Sequence, residues 1–416
     1  MEVKMNSRYY AYKDSGVEWL AEIPEHWDVG RIKQLAWFKY GDSLSSDSRE
    51  SGNVPVYGSN GQVGNHSCSN THAPCIIIGR KGSYGKVNYS TSNCFAIDTT
   101  FFVDDTTTKC DIRWLYYCLS IVGLDTYSQD SAVPGLSRDY AHNLWLPKIP
   151  PSEQRAIADF LDRETARIDA LISKYQRLIE LLEEKRTSLI SQAVTKGLNL
   201  SVPMMDTKIP WLGKIPIHWE IKQIKHVVQI NPETLPENTS PNYTIQYLDI
   251  SNIDKIGGIG INQEFLFADA PSRARRIVRA GDTIISTVRT YLKAVAFFEN
   301  PLENQVVSTG FAVLRSKTDV YPKFLKWFVL SKEFIERVVA HSVGVGYPAI
   351  NPSELASLPI WIPTYEEQFN IASFLDRETL IIDSSILKIR KIITKLQEYR
   401  TALISAAVTG KIDVTQ

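Results

Sequence analysis

At 416 residues the chain is long enough for two or three domains, each with its own core, and 44% hydrophobic with 22% charged residues places it among folded proteins rather than disordered or fibrous ones. Its 46 basic residues balance 46 acidic ones, which argues against a stand-alone DNA binder, so any nucleic-acid surface must be a local patch or be shared with basic partners. Residues 1–15 hold no apolar run fit for a signal peptide, no stretch approaches a membrane span, and five cysteines (Cys68, Cys75, Cys94, Cys110 and Cys118) without Cys-x-x-Cys spacing point to a reducing cytoplasm.

In chain order, residues 19–27 form a motif, Trp-Leu-Ala-Glu-Ile-Pro-Glu-His-Trp, that returns at 211–219 with six of nine positions identical. A block of mixed α/β character follows, roughly 28–150, with short apolar strands at 75–78 and 100–103 and a helix at 112–120. Between the strands, residues 79–86 form a glycine-rich basic turn. The stretch 75–90 holds three basic residues and no acidic one. Two glycines let the backbone approach a phosphate, Arg80 and Lys81 can reach phosphates or guanine edges, and Ser83, Tyr84 and Lys86 complete a candidate DNA-contacting loop. This turn is no P-loop, because its spacing is wrong and Val87 replaces the hydroxyl residue. His66, Cys68, His72 and Cys75 suit no common zinc spacing and have no counterpart later in the chain, so no metal is expected.

Residues 153–196 read as one long helix, with Ser152 as its cap and Gly197 as its stop. With Ile168 at heptad position a, the seam runs through Ile168, Tyr175, Leu182 and Leu189 at a and Leu171 and Leu178 at d. Ile172 and Ile179 widen the stripe. A linker, 198–210, leads to the second motif and a second α/β block, roughly 220–362, with strands at 282–285 and 294–297 and a helix at 322–334. At the position of the first basic turn it carries Arg289, Tyr291 and Lys293. The run 271–293 also holds Arg273, Arg275, Arg276 and Arg279, giving six basic residues against Asp282 alone, and Arg273, Arg275, Arg276, Arg289, Tyr291 and Lys293 are candidate DNA contacts. The second long helix starts at a capping box, 364–367, and ends at Gly410. Its seam is Ile382, Ile389, Leu396 and Leu403 at a with Ile392 and Tyr399 at d, flanked by Ile386 and Ile393. Glu183 and Lys185 match a nuclease pattern only as part of a charged helix face, and no adenine-methyltransferase signature is present, so no catalytic residue is expected.

The long helices repeat too. Residues 153–169 return at 367–383 with twelve of seventeen identical, and 186–195 return at 400–409 with eight of ten. The first motif is shifted by 192 residues and the helices by 214, so the second copy has gained 22 residues inside its block. Two divergent blocks are thus mounted on nearly identical frames. The 14 residues from Gly197 to Trp211 span at most ~50 Å, which keeps the second block near the end of the first helix and favours antiparallel helix packing. The expected fold class is α+β: two mixed α/β domains separated by two long helices in an antiparallel coiled coil, with an internal pseudo-two-fold repeat. The expected divisions are 1–150, the first domain with its N-terminal segment; 151–197, the first helix; 198–210, the linker; 211–362, the second domain; and 363–416, the second helix and tail.

The run of motifs at 14–19 with 23–27, the basic turn, 149–154 and 160–165, in that order and largely repeated, resembles the specificity subunits of Type I restriction-modification enzymes along essentially the whole chain. Thr364-Tyr365 in place of a Pro-Pro run is the one departure. The resemblance implies two target recognition domains, each reading half of a bipartite, asymmetric double-stranded DNA target. It also implies assembly with two methyltransferase subunits, which bind S-adenosylmethionine, and with motor-nuclease subunits that use ATP with Mg. Those cofactors would belong to the partners, and none to this chain. A protein-binding scaffold is the alternative of a different class, which sequence-dependent retention on DNA would exclude.

Overall fold

The computed structural model describes residues 8–126, 135–254 and 257–415. The chain divides into two units, one made of Met1–Gln176 with Arg390–Gln416 and the other of Arg177–Ile389.

In the first unit a hairpin, Tyr12–Asp14 with Glu22–Pro24, precedes a four-stranded antiparallel sheet in the order Lys39–Tyr40, Thr100–Val103, Cys75–Gly79, Val87–Ser90. The two central strands are buried at every position, which is why their sequences are continuous rather than alternating in apolar character. A smaller sheet, Gly61–His66, Val54–Gly58 and Phe95–Ala96, contains one parallel pair. The helix Ile112–Ile121 is capped by the Asp111 carboxylate, which accepts the Arg113 and Trp114 N–H groups. A short helix, Arg138–Asn143, then returns the chain to a strand, Trp145–Lys148, paired with Asp28–Arg31.

The second unit repeats this plan. Its main sheet runs Val228–Ile230, Phe311–Ser316, Thr283–Ser286, Val295–Phe297, and its smaller sheet again holds one parallel pair, Thr244–Leu248 with Gln305–Ser308. Two elements have no counterpart among the described residues of the first unit, the edge strand Ala274–Ile277 and the helix Lys332–Ala340. The single helix expected at 322–334 is instead two, Pro322–Leu330 and Lys332–Ala340. Ser331 divides them: its fully buried hydroxyl donates to the Phe328 carbonyl and accepts the Phe334 N–H, so its backbone leaves the helical region.

The long helices are Pro151–Lys196 and Tyr365–Val408. The first begins before Ser152, which is therefore not its cap; the Pro150 carbonyl takes the Glu153 and Gln154 N–H groups, and a proline in the first turn forfeits no hydrogen bond. The capping box of the second does form, with Glu367 N–H donating to Thr364 Oγ1 and Thr364 N–H to Glu367 Oε2. Each helix is followed by a glycine in the left-handed region, Gly197 at φ 73° and Gly410 at φ 74°.

The repeated Trp motif clamps these helices within each unit. In the first, Trp27 Nε1 donates to Glu153 Oε2 at 2.8 Å, His26 meets Glu153 Oε1 at 2.8 Å, and a Cβ at Gly410 would lie 2.8 Å from the Trp27 ring. Further along, Arg400 Nε reaches Asp169 Oδ1 at 2.9 Å. Residue 153 thus meets the region of 410 and residue 169 meets 400, so the segments run antiparallel. In the second unit His218 meets Glu367 at 2.9 Å, Gly197 packs on Trp219, and Arg186 Nε reaches Asp383 at 3.0 Å, again antiparallel.

The seam differs from the expected heptad register. Leu171, Leu178, Ile392 and Tyr399 are 40%, 41%, 38% and 37% exposed, and are not seam residues. Ile168, Ile172, Ile382, Ile386, Ile389 and Leu403 are buried, with Tyr175, Leu182, Leu189 and Leu396 half-buried. The buried line steps from Ile168 to Ile172 rather than to Leu171, and it passes through Arg186 and Arg400. Counting apolar residues alone rejects a line containing two arginines, but each is neutralised by an aspartate of the other helix. Ile386→Ala is expected to cost about 2–4 kcal/mol and Leu178→Ala under about 1 kcal/mol, read by denaturant unfolding, and equal costs would restore the rejected register.

Candidate nucleic-acid interface

In the second unit, the chain leaving Thr283–Ser286 enters a turn flanked by two non-glycine residues in the left-handed region, Arg289 at φ 51° and Lys293 at φ 54°. Such conformations are held only where surrounding contacts over-determine them. Here Thr290 Oγ1 donates to Ser342 Oγ at 2.8 Å, the Ile350 N–H to the Thr287 carbonyl at 2.9 Å, and Val288 bridges Ala349. The turn is thereby fastened to the loop 341–350. The result is an exposed patch of Val288, Tyr291, Val343, Val345 and Tyr347, with the Arg289 guanidinium 4.7 Å over the Tyr347 ring. Tyr347, Val343 and Val345 were not legible as site residues, being distant in sequence from any basic turn. Arg289 and Tyr291 share this patch, whereas Lys293 lines a separate cleft of about 660 Å³ with Glu184, Glu333 and Glu336.

Charge balance around the other arginines differs from the local count. Arg273 pairs with Asp249 and donates to Tyr247 Oη at 3.1 Å; Arg275 lies 4.6 Å over Phe267; Arg276 donates to Thr234 Oγ1 at 3.1 Å. Burial holds the Arg276 guanidinium below its ordinary pKa. Asp249 and Glu233 are remote in sequence from the run 271–293, so a local count overstates its free positive charge.

In the first unit the backbone of Arg80 is pinned on both sides, its N–H donating to Thr99 O and its carbonyl accepting from Leu136. Its guanidinium donates to the Asp98 carbonyl at 2.9 Å and lies 5.2 Å over Tyr40. Lys86, though exposed, is taken up by Asn60 at 2.7 Å and Tyr84 packs on the core, which leaves Lys81 and Ser83 as the exposed side chains of the turn without such a partner among the described residues. Beside them stands a second cation, Arg138, whose guanidinium lies 5.1 Å over Trp37 and 4.7 Å over Tyr40. His66, Cys68, His72 and Cys75 do not converge: His66 Nδ1 accepts the Glu50 N–H, Cys75 lies against Cys94, and His72 sits beside Asp104 and Asp105.

His142, on the same short helix as Arg138, accepts the Phe38 N–H through Nε2 at 3.1 Å and is therefore neutral in the fold. Burial, then the Arg138 charge, pushes its pKa down. A depressed imidazole contributes stability that is present above the ordinary value of ~6.5 and is lost as pH falls below it. The stability of the first unit is expected to decline below about pH 6.5, and His142→Asn to flatten that decline in urea titrations at two pH values; the same slope in both proteins would place the titration elsewhere.

No helix among the described residues is long and apolar enough to cross a membrane. Fold and patch together define a duplicated α+β protein, two units on one frame, each presenting cations backed by aromatic rings. The model of the family described as Type I restriction modification DNA specificity domain matches residues 24–182 and 216–395, and the chain belongs to that family. It is 23% identical over 315 residues to the Type I restriction enzyme MjaVIII specificity subunit of Methanocaldococcus jannaschii, covering 73% of this chain and 71% of the relative. It is 18% identical over 410 residues to the EcoDI specificity subunit of Escherichia coli, covering 94% and 90%. A chain from a solved structure concerned with complex assembly and conformational transition of the type I R-M system has the same fold, with a TM-score of 0.62 at 14% identity over 93% of this chain and 98% of that one.

Proposed function

We propose that the chain is the non-catalytic, sequence-reading subunit of a Type I restriction-modification complex, each unit reading one half of a bipartite, asymmetric double-stranded DNA target. The observation that carries this reading is the contrast between frame and tips. Both units keep the same order in the main sheet and the same His–Glu contact from the Trp motif to the long helix, yet they present different side chains at the equivalent turns, Lys81 and Ser83 in one and Arg289 and Tyr291 in the other. Two heads of one fold with different surfaces suit two different half-sites.

Two methyltransferase subunits would find equivalent docking surfaces on the repeated helices, where Leu178 and its counterpart Ile392 are both exposed. S-adenosylmethionine would be bound by those subunits, and ATP with Mg by motor-nuclease subunits, in the cytoplasm. Basic partners would also supply phosphate neutralisation that a chain of zero net charge lacks. Mapping methylated adenines in cells that express the chain with its methyltransferase tests the proposal. A single bipartite motif is expected, and no sequence-dependent methylation or DNA retention would overturn it.

A further inference from the structure

We propose that Arg138, stacked on Trp37 and Tyr40, makes a direct contact to DNA in the half-site read by the first unit. The assignment rests on the DNA-reading function above and adds a contact that the basic turn does not contain.

Three observations carry it. First, two aromatic rings stack on the guanidinium, with Trp37 at 5.1 Å and Tyr40 at 4.7 Å, and Tyr40 also carries Arg80 at 5.2 Å. Stacking leaves the in-plane N–H donors as the groups with unmet demand, and their fork matches paired acceptors such as guanine O6 and N7 or two phosphate oxygens. Second, among the described residues no carboxylate pairs with this charge. Among the described residues Arg80, Lys81 and Arg138 form no ion pair, and Arg138 Nε is out of water with no hydrogen bond. Elsewhere in the chain Arg113, Arg273, Arg279 and Arg315 each rest on an aspartate or glutamate. Third, the stack is built on rigid elements yet faces solvent: Trp37 and Tyr40 remain 48% and 47% exposed. The backbone between them is tied to the Arg138 helix by the Phe38 N–H to His142 hydrogen bond, and His142 packs on Trp37 at 4.6 Å. Two half-exposed aromatic rings stacked on a guanidinium that forms no ion pair among the described residues, fixed before any ligand arrives, form a preorganised binding edge.

The test uses the full chain co-expressed with its methyltransferase, comparing Arg138→Gln, Arg138→Lys and Tyr40→Leu with the parent. Duplexes altered in one half-site at a time report binding, and methylome mapping reports recognition in cells. Arg138→Gln is expected to weaken binding about tenfold or more, with discrimination at the second half-site intact. A guanine contact relaxes one base position and is not restored by lysine. A phosphate contact weakens all sequences alike, lowers the salt slope by about one, and is largely restored by lysine. Tyr40→Leu, which removes a ring but no charge, is expected to weaken the same half-site, so loss of folding in one variant does not stand in for loss of contact. Unchanged binding and methylation in Arg138→Gln would overturn the assignment and leave the DNA-reading function standing. A parent complex that methylates no defined motif would overturn both.

Discussion

Asp282→Ala is expected to lower the stability of the second unit by about 3–5 kcal/mol. The Asp282 carboxylate is fully buried and receives Arg315 through Nε and Nη2, both at 2.8 Å, together with the Arg279 N–H at 2.7 Å. Its removal leaves a guanidinium and a backbone donor facing a void that no other carboxylate enters. Glu233 moderates the loss, since it binds Arg315 at 2.6 Å and Arg279 at 2.7 Å. Those two arginines, Arg279 first, hold the Glu233 carboxyl down at about 2. Its contribution is thus present above the ordinary glutamate range and is lost as pH falls through about 2, so the second unit should weaken in that acid window. Urea unfolding of the variant reads the effect. A loss under about 1 kcal/mol would show that water replaces the carboxylate, and Asp282→Ala with Arg315→Leu should cost less than the two changes summed.

Arg289→Gly is expected to move stability and recognition in opposite directions. Arg289 holds φ 51° without being glycine, so glycine relieves backbone strain and should be neutral or stabilising by up to about 1 kcal/mol. The same change deletes the guanidinium stacked on Tyr347, and discrimination at one position of the second half-site should relax by ~1–3 kcal/mol. Thermal melts and methylome mapping of one variant read both quantities. Joint loss of stability and methylation would mean that Arg289 is a structural residue.

The frame was legible because it is local and repeated. Helical periodicity, the Thr364–Glu367 box and the two closing glycines are written in neighbouring residues, and the structure shows long helices there. The seam register was hidden by Arg186 and Arg400, whose aspartate partners lie 197 and 231 residues away in sequence. The same cause hid the neutralisation of Arg273 by Asp249 and of Arg279 by Glu233. Basic turns could be seen as turns, but the rings that back them, Tyr40 and Tyr347, arrive from other strands and loops. The single helix expected at 322–334 failed at Ser331, where one buried hydroxyl outweighs an otherwise continuous apolar pattern.

The second unit is one unbroken stretch, Arg177–Ile389, whereas the first is completed by Arg390–Gln416. Leu403, Ile404, Ala407 and Val408 lie in the same core as Trp27 and Ile157. On the ribosome the order of completion therefore reverses the order of synthesis. The half made second is complete once Ile389 has been added, and the half made first waits, with part of its apolar core uncovered, until Arg390–Gln416 emerges. For most of its synthesis the nascent chain is thus a client for chaperones at its leading end, and a premature stop in the final helix would damage the domain encoded farthest from it.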